Sequence, residues 1–564
     1  MISVSGKKWK EKKVNQNLLE KIKQDYNFSK ILSQLILSRN FNKEEIYLIN
    51  NHLNLSNVFQ NNKDFIKSIN LVTETIKKKE KICILGDYDV DGSVATSLLA
   101  KFFNNLNLPY FYYIPDREKD GYGASVELFK KIILKKPKLV IMVDCGSNSL
   151  KAIDFLNKNK IKSLIIDHHE IFKPFPKANV IINPKKNSGY SEYDILCATS
   201  LTYFFLDILS KKNKIHFNIS NYLIYVLLAT ICDVMPLRKL NRIITFNTFK
   251  NFDLNKNKVI KELYNLCGKK NKINIDDLGY FIGPILNAGG RLGKSHYATD
   301  LLASDDINFI KRKSIELIDL NKKRKKIETS ILANIDFEKL EKNNQDIIIY
   351  YKPYLNEGLI GIIAARLKDY FNKPAIVITS SKNILKGSAR SIHIYNIGKA
   401  LKKTLDKNII LSGGGHNMAG GFTLKKNKLS NFKDFIINDF ANHNSLNKNF
   451  LEYDSEISST ALNIDFLNEI KKMEPFGTEN PIPTFLIKDL KIIKSTILKD
   501  KHISSILKSK LGFTIKSICF FSTNNKVGEY LLNYKNTFDV VGQINENLNN
   551  NKKTLQLIIK DLIL

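Results

Sequence analysis

Three short apolar runs constrain the fold of this chain, because each breaks off in acidic or imidazole side chains. Ile82–Leu85 leads into Gly86-Asp87-Tyr88-Asp89-Val90-Asp91-Gly92, Leu139–Val143 into Asp144-Cys145-Gly146, and residues 164–166 into Asp167-His168-His169. Short apolar runs without alternation read as parallel strands buried on both faces. The amphipathic stretches 93–105, 125–135 and 150–158 read as covering helices, so the pattern predicts a doubly wound α/β domain. In such sheets the ligand crevice lies outside the C-terminal strand ends, so acids distant in sequence converge there. Gathered carboxylates repel one another unless a cation neutralises them, and carboxylate mixed with imidazole suits Mn²⁺. Asp233 is a fourth candidate: it ends the apolar run 227–232, where a charge without a partner is costly. A single Asp at a strand end is ordinarily a helix N-cap, but that does not account for the whole set. Asp91 has a second reading, as a residue that shapes the turn with Gly92.

At 564 residues the chain exceeds a single core. Residues 1–80 are polar and read as helical, packing on the first domain, which spans 81–304. Residues 305–344 are highly charged and free of Gly and Pro, the pattern of a long connecting helix. A second α/β domain, 345–442, has strands at 347–351 and 375–379, a helix at 361–371 and a glycine cluster at 413–421. Residues 450–564, punctuated by Pro and Gly and carrying short strands such as 540–544 and 554–559, read as an OB-type β-barrel. The longest apolar run, 222–231, is too short to span a membrane. The basic stretch 1–13 is not followed by the apolar core of a signal peptide, so a cytoplasmic protein without membrane partners is expected. Six cysteines without a CxxC pair read as reduced and buried. The net charge of +33 favours a polyanionic partner, although the richness in Lys, Asn and Ile assigns part of the excess to biased composition.

The order DxDxDG, a later Asp and then Asp-His-His resembles the DHH phosphoesterase superfamily. The resemblance implies a two-metal site holding Mn²⁺ or Mg²⁺. Its ligands would be Asp87, Asp89, Asp144, His168 and Asp233, with Asp144 bridging, His169 facing the phosphate, and Asp91 and Asp167 in support. Two such ions activate a water and stabilise the leaving oxygen of an in-line displacement, with no side-chain nucleophile.

Further segments are similar to the RecJ family within that superfamily. They are the loop 116–123, the stretch 229–237 with Asn241-Arg242, Leu286-Asn287-Ala288-Gly289-Gly290-Arg291-Leu292-Gly293, residues 358–367 and 386–391, the glycine cluster, and Pro475-Phe476-Gly477 with Asn480-Pro481. The similarity runs in order over residues 30–564. It implies a 5′→3′ exonuclease on single-stranded DNA that releases mononucleotides in repair and recombination. It further implies a monomer working beside a single-strand-binding protein and a helicase. Asn287, Arg291, Arg390, Ser391, Gly414, Gly415 and His416 would hold phosphates, since glycine lets backbone N–H groups approach and guanidinium groups match phosphate geometry. Phe513 and Tyr530 are stacking candidates on the barrel. Two alternatives remain: a DHH-type phosphodiesterase acting on short oligonucleotides or cyclic dinucleotides, and a catalytically decayed nucleic-acid-binding protein. The chain departs from the family pattern at Leu355-Asn356 before Glu357-Gly358, at Cys197-Ala198-Thr199-Ser200 and at Ile285.

Overall fold

The structure, a computed structural model, describes residues 2–51, 55, 58–116, 120, 123–186, 193–270, 272–342, 346–381, 383–444, 450–549 and 552–564. Most of the loop 116–123, and the stretches 343–345 and 445–449 at the expected domain joints, lie outside the described residues. The chain forms two compact units, one of Leu55–Met235 with Asn247–Asn447, the other of Met1–Asn54, Pro236–Phe246 and Lys448–Leu564.

In the first unit, β1 (Ile82–Leu85), β2 (Tyr110–Tyr113), β3 (Leu139–Val143), β4 (Lys162–Ile166) and β5 (Val180–Ile182) form a parallel sheet in the order β2-β1-β3-β4-β5. Every residue of β1 and β3 is fully buried, as continuous apolar runs between two layers require. Helices α1 (Val90–Asn105), α2 (Val126–Ile133) and α3 (Leu150–Lys158) make the crossovers. On one face Leu128, Phe129 and Ile132 of α2 and Ile153 and Leu156 of α3 pack against Cys83, Leu85, Val140 and Met142. On the other, α1 is buried from Val90 to Phe103 and lies against α4 (Ala198–Asn213) and α5 (Leu223–Cys232). The order reverses between β1 and β3, so the chain leaves their C-terminal ends in opposite directions and opens a crevice there.

Beyond α6 (Gly283–Arg291), α7 (Ile307–Ala333) is a 27-residue helix started by Asp306, whose carboxylate accepts from Phe309 N. It is shorter than the expected 305–344. Asp336 accepts from Lys339 N and starts a separate helix at Phe337, while Ile335 between the two is buried in the second domain's core. That domain contains β6 (Ile348–Tyr351), α8 (Ile360–Phe371), β7 (Ala375–Ser381), β8 (Ile384–Arg390), α9 (Ile397–Asp406), β9 (Ser412–Gly415) and β10 (Ala419–Lys425). The sheet order is β9-β10-β8-β7-β6, with only β6 and β7 parallel. The glycine cluster is the β9–β10 hairpin, where Gly414 faces Gly421 and Gly415 faces Gly420.

In the second unit, β11 (Thr484–Leu498), β12 (His502–Ser509), β13 (Thr514–Cys519), β14 (Phe538–Asn549) and β15 (Lys552–Ile563) pair in the order β11-β12-β13-β15-β14, and β14 pairs back with β11. The ring closes around Phe485, Ile487, Ile503, Leu507, Val540 and Leu557. Of the two stacking candidates, Phe513 is exposed, whereas Tyr530 packs against this core.

The N-terminal region differs from the sequence reading. Residues 2–51 cluster with the C-terminal region, and only the helix Lys63–Lys77 lies in the unit of the first domain. The cause is a set of long-range contacts invisible in local pattern. The strand Lys8–Glu11 pairs with Phe450–Tyr453. Buried Asp561 accepts from Ser3 Oγ at 2.6 Å and Trp9 Nε1 at 2.9 Å. Arg39 pairs with buried Asp454 at 3.1 Å, and Phe28, Leu32 and Leu35 pack with Met473. The cysteines are free thiols, but Cys267 is exposed and Cys232 only partly buried, contrary to the expectation that all are buried. Among the described residues no helix is long and apolar enough to cross a membrane.

Candidate metal centre

The first acidic loop is set by close backbone packing. A Cβ on Gly92 would lie 2.5 Å from Asp87 N and 2.6 Å from Asp87 O, so only glycine lets the turn close on the start of α1. Asp89 is the N-cap of α1 and accepts from Gly92 N at 3.1 Å. Asp144 leaves β3 with φ of 60°, a left-handed conformation that Asp tolerates better than most residues. Asp233 is the C-cap of α5 and is followed by Val234 at φ 57°. A β-branched residue there carries strain of about 1–3 kcal/mol. Hydrogen bonds from Val234 N to Ile231 O and from Met235 N to Thr230 O hold the turn closed, and with it the direction of Asp233.

These turns bring together the side chains expected to meet. Candidate ligand atoms of Asp87, Asp89 and Asp144 lie within 4.8 Å of one another, as do those of Asp144, His168 and His169, and those of Asp91, His168 and Asp233. His168 Nε2 lies 3.3 Å from both Asp144 Oδ1 and Asp233 Oδ2, and 3.7 Å from Asp91 Oδ2. Burial, and then the neighbouring carboxylates, push Asp144 and Asp233 well above the usual carboxylate range. Burial drives His168 well below the ordinary imidazole value. Asp144 Oδ1 and both ring nitrogens of His168 are buried without a hydrogen-bond partner among the described residues. Buried carboxylates at such spacing, facing a neutral imidazole with uncommitted nitrogens, fit a divalent cation and are destabilised without one.

Asp167 and Asp91 differ from Asp144 in having backbone donors on their carboxylates. Asp167 accepts from Ser147 N at 3.1 Å, His168 N at 2.8 Å, His169 N at 3.2 Å and His169 Nδ1 at 2.8 Å. It is an orienting group with its lone pairs occupied, held ionised by His169 and these bonds against the opposing effect of burial. Burial alone would lower His169, but the Asp167 charge and hydrogen bond raise it to about 9. Asp91 does more than shape the turn. Fully buried, it accepts from Ala198 N at 2.7 Å and Thr199 N at 2.8 Å, capping the start of α4 while facing His168. The segment 197–200, a departure from the family pattern, is therefore part of the frame of this site.

The candidate phosphate residues divide. His416 comes over His169, ring centroids 6.0 Å apart and nearly parallel at 26°. Arg291, at the end of α6, donates to Gly358 O at 3.2 Å across the two domains of this unit. Asn287, one turn earlier on the same helix, is half-buried. Arg390 Nη2 lies 3.0 Å from the position a Cβ on Gly361 would take, at the first turn of α8. Gly415 packs so tightly against Ala419 that a Cβ would lie 2.2 Å from its carbonyl oxygen, whereas Gly414 has open space. Ser391 is not brought to the cluster: it is fully buried and donates its hydroxyl to Tyr395 O at 2.6 Å.

The sequence reading passed over Ser147, Asn183 and Lys185. For Asn183 and Lys185 the signal is the same as at the other sites, an apolar run, Val180–Ile182, ending in polar residues, but three residues are too few to mark a strand by pattern; Ser147, three residues beyond Asp144, has no signal of its own.

Comparison with known proteins agrees with this architecture. Residues 81–231 match the DHH family N-terminal domain, 344–442 the DHHA1 domain and 453–561 the RecJ OB domain. The chain is 27% identical to the single-stranded-DNA-specific exonuclease RecJ of Bacillus subtilis, over 99% of this chain and 71% of that protein. It is 28% identical to that of Haemophilus influenzae, over 82% and 84%. The fold matches the crystal structure of RecJ in complex with Mn²⁺ from Thermus thermophilus with a TM-score of 0.81 at 21% identity, covering 99% of this chain and 79% of that one. With its DHH, DHHA1 and RecJ OB domains in this order, the chain belongs to the RecJ family of DHH phosphoesterases.

Proposed function

We propose that this chain is a metal-dependent exonuclease that degrades single-stranded DNA from the 5′ end and releases mononucleotides, in DNA repair and recombination. The observation that carries this reading is the convergence of Asp87, Asp89, Asp144, His168 and Asp233 in one crevice beneath His169 and His416. Those five side chains would hold two ions, Mn²⁺ or Mg²⁺. When bound, the ions supply an activated water and stabilise charge on the leaving oxygen. Asp144 and His168 each belong to two of the candidate groups, and of the two only the carboxylate has two oxygens with which it would serve both ions. Asp167 occupies the Nδ1 side of His169 and leaves Nε2 to donate to a phosphate oxygen. Asp91, held by the start of α4, faces His168 Nε2 from the same side as Asp144 and Asp233. His416, Arg291 and Arg390 would hold the phosphates of the terminal nucleotide, and Gly415 would let backbone approach.

The catalytic domains would be 81–304 and 345–442, with the barrel of 450–564 adding a groove for the strand. The reading extends to a cytoplasmic monomer that works on strands exposed by a helicase and covered by a single-strand-binding protein, as the family resemblance implies.

The test is single-stranded DNA labelled at either end, with Mn²⁺, cut by the wild type and by Asp144→Ala. Immediate release of labelled mononucleotide from the 5′ end, absent in the variant, is expected. Equal cleavage of blunt duplex would overturn the single-strand claim. Strand binding without turnover in any divalent ion would favour a binding protein.

A further inference from the structure

The turn after β5 carries a charge for which the site described above has no use. Beyond Ile182, Asn183 folds back so that its amide donates to Ser147 Oγ at 2.8 Å and to His169 O at 2.9 Å. Its Oδ1 accepts from Lys185 N at 2.8 Å. Ser147 N donates in turn to Asp167. The turns leaving β3, β4 and β5 are thus tied into one frame, and Lys185 is fixed to the frame that orients His169.

The Lys185 ammonium lies 3.1 Å from Glu170 Oε1, on the residue that follows His169. The lysine side chain is 21% exposed and Glu170 52%. A pair with one half-solvated partner contributes little to stability, so it does not account for a lysine side chain held largely out of solvent at this place. Burial raises the proton affinity of Asp233 and lowers those of His168 and His416, and Lys185 acts to lower all three. Its field therefore reaches the carboxylate cluster and also the second-domain histidine that stacks over His169. Lysine is a compact point charge with three donors, suited to an oxygen that arrives from more than one direction.

We propose that Lys185 is a phosphate-binding residue of this site, paired with Glu170 when no strand is present and handed to a phosphate oxygen of DNA that enters beside His169 and His416. Glu170 is then the internal competitor of the substrate for the same ammonium. This inference rests on the reading of the chain as a single-strand nuclease.

The full-length protein and its Lys185→Gln, Lys185→Arg and Glu170→Gln variants test it. Oligonucleotide binding is measured by anisotropy in EDTA over a range of salt, cleavage kinetics in Mn²⁺, and Mn²⁺ affinity by calorimetry. Losing one charged contact in Lys185→Gln should weaken strand binding and raise KM about tenfold. It should also flatten the slope of log affinity against log salt by about 0.7, the value for one phosphate on a single strand. Lys185→Arg should recover most of the loss, Glu170→Gln should bind more tightly than wild type, and Mn²⁺ affinity should stay unchanged in all three. An unaltered salt slope in Lys185→Gln overturns the inference, as does a parallel loss of Mn²⁺ affinity, which would make Lys185 a structural residue. A wild type that binds strands with the expected Lys185 dependence but does not cleave them would overturn the nuclease reading alone.

Discussion

Replacing Asp167 with Asn tests the electrostatic account of the site in the metal-free protein. The carboxylate has one oxygen toward Ser147 N and the other toward His168 N, His169 N and His169 Nδ1. An Asn amide cannot accept on both sides. With its oxygen kept toward the histidines, its NH₂ faces Ser147 N, donor against donor, which costs about 1–3 kcal/mol at a buried site. The second contribution comes from His169, held at about 9 in the folded protein against an ordinary 6.5. That difference is about 3 kcal/mol at about 1.4 kcal/mol per pH unit. Because the side chain is 33% exposed, solvent screening reduces it to about 2 kcal/mol. The sign follows from linkage. A histidine raised on folding contributes its full stability below about 6.5 and loses it as the pH rises through about 9. The wild type should therefore exceed Asp167→Asn by about 3–5 kcal/mol near pH 6, and by only about 1–3 kcal/mol near pH 10. The assay is urea unfolding in EDTA followed by far-UV circular dichroism, because the single tryptophan, Trp9, lies in the other compact unit and does not report on this one. A gap that is constant between pH 6 and 10, or that widens, refutes the assignment of Asp167 as the partner that keeps His169 charged.

Three further predictions follow from the same geometry. Mn²⁺ at a hundredfold excess over its dissociation constant should stabilise the wild type by about 2.7 kcal/mol in differential scanning fluorimetry, and Asp144→Asn by less than half of that. Gly92→Ala, whose new Cβ has no room against Asp87, should lower Mn²⁺ affinity measured by calorimetry at least tenfold while the far-UV spectrum of the barrel persists. Asp91→Asn turns a donor toward Ala198 N or Thr199 N and should cost about 1–3 kcal/mol in urea unfolding, with Thr199→Ser close to neutral because the backbone donor is kept.

Local sequence pattern is enough to specify the sheet of the first domain and the acids at its edge. An uninterrupted apolar run such as Leu139–Val143 is stable only between two layers, and a charge at its end must lie at the rim of the sheet. That sufficed to place Asp87, Asp144 and His168 in one crevice, because the C-terminal ends of parallel strands all face the same way. Local pattern also marked the helix that ends at Asp233, although it could not reveal the strained turn at Val234 that aims the carboxylate.

Tertiary structure alone decided which members of the set are free to take a ligand and which are already engaged. Asp167 and Asp144 both end a strand and look alike in sequence. One has four donors on its oxygens, while the other has an oxygen with no hydrogen-bond partner among the described residues. Ser391 sits beside Arg390 in a phosphate-binding pattern, yet its hydroxyl turns inward to Tyr395. The attachment of residues 2–51 to the C-terminal region rests on Asp454 and Asp561, carboxylates more than 400 residues away along the chain. Hydrogen-bond partners and long-range strand pairing depend on where the backbone returns in space, and no local periodicity encodes that.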